Sequence, residues 1–285
     1  MKILLTGSNG QLGHDFKKIF NKKNIEYIAT DYKELDVTSD EDLNKFFQEN
    51  EGITHVINCA AYNDVDKAEN DPKTWLLNAE APKNLALFAK KIGAIFVTYS
   101  SDFVFDGLKK EPYTEKDILN PISEYSKSKA QGEKMVLKSC KRSFVIRTSW
   151  LFGIGGNNFN KQVINWSKSR AELNIVDDQV SVPTYSMDLA EFSWKLIQTE
   201  RFGLYHITND GIASKYDQAK YVLEKIGWSG ILGRAKTADF NLPAKRPAYS
   251  KLDSSKVEKL LEEKIPSWQS GIDRFLEEMK KNGEL

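Results

Sequence analysis

The sequence predicts an α/β fold built on a doubly wound parallel sheet. Three observations lead there. Short apolar runs alternate with amphipathic helical segments through residues 1–150. The first run ends in Gly7-Ser8-Asn9-Gly10-Gln11-Leu12-Gly13, a glycine turn opening directly into a helical pattern. Small and polar residues gather where later runs end, as in Cys59-Ala60-Ala61-Tyr62 and Ser100-Ser101-Asp102. Open α/β sheets hold their ligands at that edge.

Composition narrows the classes. The 285 residues suffice for a substantial core, and 40% hydrophobic with 28% charged residues is ordinary for a soluble globular chain. A net charge of +1 gives no electrostatic basis for binding nucleic acid or an anionic membrane. No apolar run approaches a membrane span, and Met1-Lys2-Ile3 leads straight into a strand, so no signal peptide is expected. Cys59 and Cys140 read as buried thiols of a reducing compartment, which predicts a cytoplasmic protein. His14, His55 and His206 have no partners at metal-ligand spacing.

Taken in order, Lys2 to Thr6 is the first strand, and Leu12, Phe16, Ile19 and Phe20 give the following helix its apolar side. In this strand–turn–helix context glycines let the backbone approach a pyrophosphate seated on the helix N-terminus. The spacing is G-x-x-G-x-x-G, through Gly7, Gly10 and Gly13, rather than the commoner G-x-G-x-x-G. Ile25 to Thr30 is the second strand and ends at Asp31, whose carboxylate suits a ribose 2′-hydroxyl and would repel a 2′-phosphate. Ser39 with Asp42 reads as a helix start, and Asp36 could reach an adenine amino group. Thr54 to Asn58 is the third strand; a helix over Thr74 to Ile92 contains Asn78; Ala94 to Tyr99 is the fourth strand. Ser143 to Thr148 is a fifth, ending in Arg147-Thr148-Ser149-Trp150.

Between the last two strands lies a helix capped by Ser123. Tyr125 and Lys129 are four residues apart on it and so share one face. A nearby ammonium favours the phenolate, and the pair is expected to lower the phenol from about 10 towards neutrality. Such a pair can hand a proton to a developing alkoxide. Beyond Trp150 the rhythm changes. Gly153 to Asn158 reads as a flexible connection, and short strands such as Leu173 to Val176 and Leu204 to Ile207 are separated by loops. Residues 1–150 are thus predicted to form the sheet domain. Residues 151–285 mainly form a smaller lobe over the cleft, with segments returning to the sheet.

These segments together resemble the extended short-chain dehydrogenase/reductases, and within them the dTDP-4-dehydrorhamnose reductase family. The resemblance runs through Leu5 to Gly13, Asn58 to Tyr62, Val65-Asp66-Lys67-Ala68-Glu69, Ser100 to Gly107, Tyr125 to Lys129 with Gly132-Glu133, and Arg147 to Trp150. It continues in Gly156 to Phe159, Asp178-Gln179 with Pro183-Thr184, and Arg246-Pro247. It implies a Rossmann-type sheet with a C-terminal substrate-binding lobe, NADH or NADPH as cofactor, and reduction of the C4 ketone of a dTDP-4-keto-6-deoxy sugar. Tyr125 would be the proton donor, Lys129 its tuning cation and ribose ligand, and Ser101 the hydroxyl at the reacting oxygen. Gly7, Gly10, Gln11, Leu12, Gly13, Asp31, Asp36, Val37, Ala60, Ala61, Tyr62 and Asn78 match the cofactor contacts. Ser101, Asp102, Trp150, Asn158 and Arg246 would meet the substrate, the arginine at its diphosphate. A homodimer is the assembly to expect, without nucleic-acid or membrane partners.

The chain departs from the family pattern at Ser101, often threonine, and at Phe103, often tyrosine. At positions where some members hold magnesium it has Asp15 and Met187, and a thioether does not ligate a hard cation, so no metal is expected. Four rivals bear weighing. A 4,6-dehydratase needs an acid–base pair after the hydroxyl residue, and Phe103 follows Asp102. A 4-epimerase or a reductase of another keto sugar would use the same tyrosine and lysine. A non-catalytic regulatory subunit on this fold would not need them.

Overall fold

A computed structural model describes residues 1–285. The first half runs β1 (Lys2–Thr6), α1 (Gln11–Lys22), β2 (Glu26–Thr30), α2 (Asp40–Glu49), β3 (His55–Asn58), α3 (Lys73–Trp75), α4 (Ala81–Lys91), β4 (Ile95–Ser101), α5 (Glu124–Ser139) and β5 (Ser143–Thr148). The second half runs β6 (Leu151–Phe152), α6 (Phe159–Ser167), β7 (Glu172–Val176), β8 (Val180–Ser181), β9 (Thr184–Tyr185), α7 (Ser186–Gln198) and β10 (Gly203–His206). It ends with β11 (Ala213–Ser214), α8 (Lys215–Lys225), β12 (Ile231–Ala235), α9 (Ser255–Leu261) and α10 (Trp268–Lys281).

The central six-stranded sheet has the order β10-β5-β4-β3-β1-β2, with every neighbouring pair parallel. After β2 the chain crosses back to lay β3 on the other side of β1. The strand order therefore reverses there, and a crevice opens at the strands' C-terminal ends. Alternation along β1 divides the core. Ile3 and Leu5 pack with Phe16 and Phe20 of α1 and Trp194 of α7, while Leu4 packs with Leu43, Leu85 and Val136 of α2, α4 and α5. A second core, with Phe152, Val163, Val222, Trp268 and Phe275, builds the C-terminal lobe. Both α7 and β10, from beyond residue 150, belong to the sheet layers.

Three local readings differ from expectation. The helix expected over Thr74 to Ile92 contains a π turn at Leu76–Glu80 between α3 and α4. A 3.6-residue period does not disclose one extra residue in a turn. The glycine-rich connection after Phe152 is tied down: Asn158 donates to the Gly153 carbonyl at 2.8 Å and to Gln11 Oε1 at 3.0 Å, and Lys161 donates to the Ile154 carbonyl at 2.7 Å. Of the two thiols, Cys140 is buried but Cys59 is partly exposed, in the crevice wall.

Candidate active site

The glycine turn shows why each glycine is needed. Gly7 has φ of +63°, and a Cβ there would stand 2.5 Å from the Ala60 nitrogen, so the turn passes against the end of β3 only without a side chain. A Cβ at Gly13 would lie 2.4 Å from the Gly7 carbonyl oxygen, which makes it the close-packing glycine between helix and turn. Gly10 lines both parts of the crevice. It is also the N-cap of α1, and no side chain caps that end. The first-turn amides of a twelve-residue helix with no acidic residue in that turn are left for an anion.

The crevice has two adjoining parts. One, of about 660 Å³, is bounded by Gly7, Gly10, Asp31, Asp36, Val37, Ala60 and Ala61, with the apolar Tyr32, Leu35, Leu76 and Leu77 beside them. Asp31 accepts the Asn9 and Tyr32 amides at 3.1 and 2.9 Å, which fixes its carboxylate at the rim. Asp36 accepts the Thr38 amide and hydroxyl, 2.9 and 2.6 Å away. Two residues expected at the cofactor do not line it. The Tyr62 hydroxyl turns to Asp71, 2.9 Å away. Buried Asn78 accepts the Tyr62 amide at 2.9 Å and donates to the Tyr62 carbonyl and the Ser128 hydroxyl, so it holds the wall from behind.

The other part, about 340 Å³, brings together Gln11, Leu12, Gly13, Ser101, Tyr125, Lys129 and Trp150. Strand β4 delivers Ser101. Helix α5 delivers Tyr125 and Lys129, and its start is fixed by reciprocal bonds between Ser123 and Ser126. All three side chains are at least nine-tenths buried. Here the expected lowering of the phenol is corrected. Burial pushes Tyr125 up to about 12, with Ser101 drawing it back and Asp102 adding to the rise. The Lys129 ammonium points at the Tyr99 carbonyl oxygen, 3.3 Å away, and burial pulls it down to about 8 against the upward pull of Glu133. Glu133, one turn further along α5, is held by a buried pair with Arg147 of β5 at 2.6 Å. Phe103 sets its ring edge-on to Tyr125, centroids 6.2 Å apart.

The substrate set divides. Trp150 lines the cavity in a left-handed backbone conformation, φ +43°, with the Lys215 ammonium 3.6 Å from its ring centroid. Asp102 is buried behind the wall and bonded to Ser101, Ser181 and Ser250, so it does not face the cavity. Asn158 spends its amide on Gln11, Gly153 and the Lys161 amide, and its neighbour Asn157 lines the cavity instead. Arg246 forks onto Asp66 at 2.7 and 3.0 Å, away from both parts of the crevice. Ser100 and Thr148 were missed. Both line the cavity with buried hydroxyls that have no partner, and their places at the ends of β4 and β5 were the available signal.

A capless helix start, a flat wall of Ala60 and Ala61, and two orphaned hydroxyls beside Tyr125 fit a dinucleotide with a polar head. Fold and crevice thus define the class: an α/β oxidoreductase of the short-chain dehydrogenase/reductase kind. The family described as RmlD substrate binding domain matches residues 1–281. A dTDP-4-dehydrorhamnose reductase of Aggregatibacter actinomycetemcomitans is 35% identical over 95% of this chain and 97% of its own. Among solved structures, a dTDP-4-dehydrorhamnose reductase of Clostridium acetobutylicum superposes with a TM-score of 0.95 at 41% identity, covering 98% of this chain and 100% of that one. That of Bacillus anthracis, in complex with NADP, gives 0.93 at 35%, over 97% and 99%. The chain belongs to the dTDP-4-dehydrorhamnose reductase family.

Proposed function

We propose that the chain reduces the C4 ketone of dTDP-4-dehydro-6-deoxy-L-mannose to dTDP-L-rhamnose, in nucleotide-sugar and cell-surface polysaccharide synthesis. The observation that carries this reading is the meeting of Ser101, Tyr125 and Lys129 with the glycine turn in one crevice. NADH or NADPH supplies the hydride when bound. Gly10, Gln11 and Leu12 with the free amides of α1 would hold its pyrophosphate, Asp31, Asp36 and Val37 its adenosine, and Lys129 its nicotinamide ribose. The phenol keeps its proton until charge develops on the ketone oxygen. Because burial raises Tyr125 to about 12, it is a reservoir that stays full at neutral pH, and an alkoxide is still basic enough to take the proton.

Residues 151–285, apart from α7 and β10 in the sheet layers, mainly form the lobe over the sugar, with Trp150 at the seam. The homodimer and the cytoplasmic location belong to the same reading, supported by the family resemblance and by two unpaired thiols. The test is an assay with the 4-keto sugar and either NADH or NADPH, with the product identified by NMR. Loss of cofactor absorbance with dTDP-L-rhamnose formed is the expected result. Cofactor that co-purifies, with turnover of a 4-hydroxy sugar without added cofactor, would instead indicate a 4-epimerase.

A further inference from the structure

Asp102 touches both halves of the molecule at once. One carboxylate oxygen accepts the Ser101 hydroxyl proton at 3.1 Å; the other accepts the hydroxyls of Ser181 at 3.0 Å and Ser250 at 2.5 Å. Ser181 lies in β8 and Ser250 in the segment before α9, and both are fully buried. Neither lines the crevice. Around the carboxyl the charged or titratable groups are Lys215 of α8 and Tyr125 of α5.

A hydroxyl has one proton and two lone pairs. Ser101 gives its proton to Asp102, and one lone pair takes the Phe103 amide at 3.1 Å. A single lone pair is all that Ser101 has left for the cavity it lines. We propose that Asp102 is a positioning residue, seated by Ser181 and Ser250 of the C-terminal half, that keeps Ser101 a hydrogen-bond acceptor towards the cavity. Ser101 then accepts a hydrogen bond from a hydroxyl of the sugar and does not donate to the ketone. Tyr125 alone serves the ketone oxygen. The lobe's seating is thereby read at the reacting centre. This inference rests on the reductase reading of the same site.

The test is a double-mutant cycle between Asp102 and Ser101, read in two ways. By kinetics, Asp102→Ala is expected to lower kcat about tenfold with the KM for NADH unchanged, and to add nothing in Ser101→Ala. Ser101→Thr, which keeps the hydroxyl, should restore the sensitivity to Asp102. By ¹³C NMR of tyrosine labelled at Cζ, without any sugar, Tyr125 should titrate at lower pH in Asp102→Ala. The freed Ser101 proton can then bond the phenolate, so the drop should shrink in the Ser101→Ala background. Should Asp102→Ala not fold, Ser181→Ala/Ser250→Ala loosens the carboxylate from the lobe side and enters the same cycle. An equal drop with and without the Ser101 hydroxyl overturns the proposal. Absence of ketone turnover by the unaltered protein overturns the reductase reading, and the NMR cycle still decides this one.

Discussion

Gly132 of α5 lies directly against the Asn78 carbonyl: a Cβ at Gly132 would stand 2.1 Å from that oxygen. The π turn nests there on the helix that carries Tyr125 and Lys129, while the Asn78 amide spans from the Tyr62 main chain to Ser128. Gly132→Ala should therefore push the helix off the turn and destabilise the protein by about 1–3 kcal/mol. Thermal melting would show a fall of several degrees, with kcat reduced alongside it. An unchanged melt would mean that the two segments part without strain.

Tyr125→Phe keeps the ring and its edge contact with Phe103 but removes the donor. Ketone reduction should fall by about 10²- to 10⁴-fold. Binding of NADH, followed by fluorescence, should stay within about twofold, since a single hydrogen bond contributes little net affinity. Full activity in this variant would remove Tyr125 from its proposed role.

The two pKa directions predict an alkaline limb in the pH profile. Lys129 is lowered to about 8, so its charge is present below that pH and lost above it. Tyr125 stays protonated through the neutral range and adds no limb there. In the reducing direction kcat/KM should decline as pH rises through about 8. Lys129→Arg, charged throughout, should lose that limb even if its rate is low. A flat wild-type profile from about pH 7 to 9.5 contradicts the assignment.

Asp31 stands at the crevice rim with its carboxylate held by two backbone amides. A 2′-phosphate placed there meets a fixed like charge. Asp31→Ala should shift the ratio of kcat/KM for NADPH over NADH upward by about tenfold. Equal ratios before and after the substitution would show that other groups set the preference.

The Arg246–Asp66 fork joins the loop after β3 to the segment before α9. Arg246→Met and Asp66→Asn should each cost about 1 kcal/mol in urea unfolding, and together little more than either alone. Full additivity would indicate that the contacts each side chain makes to the Ala244 backbone, and not the fork, carry the stability.

Backbone-level features were the most legible in the sequence. Glycine spacing located the turn because Gly7 and Gly13 answer to main-chain clearance, and apolar runs located the strands because four of the first five, all but the edge strand β2, are buried on both faces. Side-chain direction was less legible. Asp102, Asn158 and Arg246 are polar residues of the right kind at the right edge, yet each is consumed by partners far along the chain: Ser250, Gln11 and Asp66. The Tyr125 shift was misjudged for a related reason. Helical spacing put the cation on the same face but did not show how deeply the phenol is buried; burial is the largest effect, and Lys129 is not among the groups that shift the phenol.

The sheet's last strand carries a consequence for how this chain is made. β10 pairs along the outer edge of β5, and its residues are translated only after β6 to β9 and the helices among them. Until His206 leaves the ribosome, the growing chain presents β5 as an open edge, ready to pair with whatever strand it meets. Release of a fragment ending near residue 150 would freeze that state. The two halves are thus interleaved in the order of their synthesis, and a transplanted lobe must bring α7 and β10 with it.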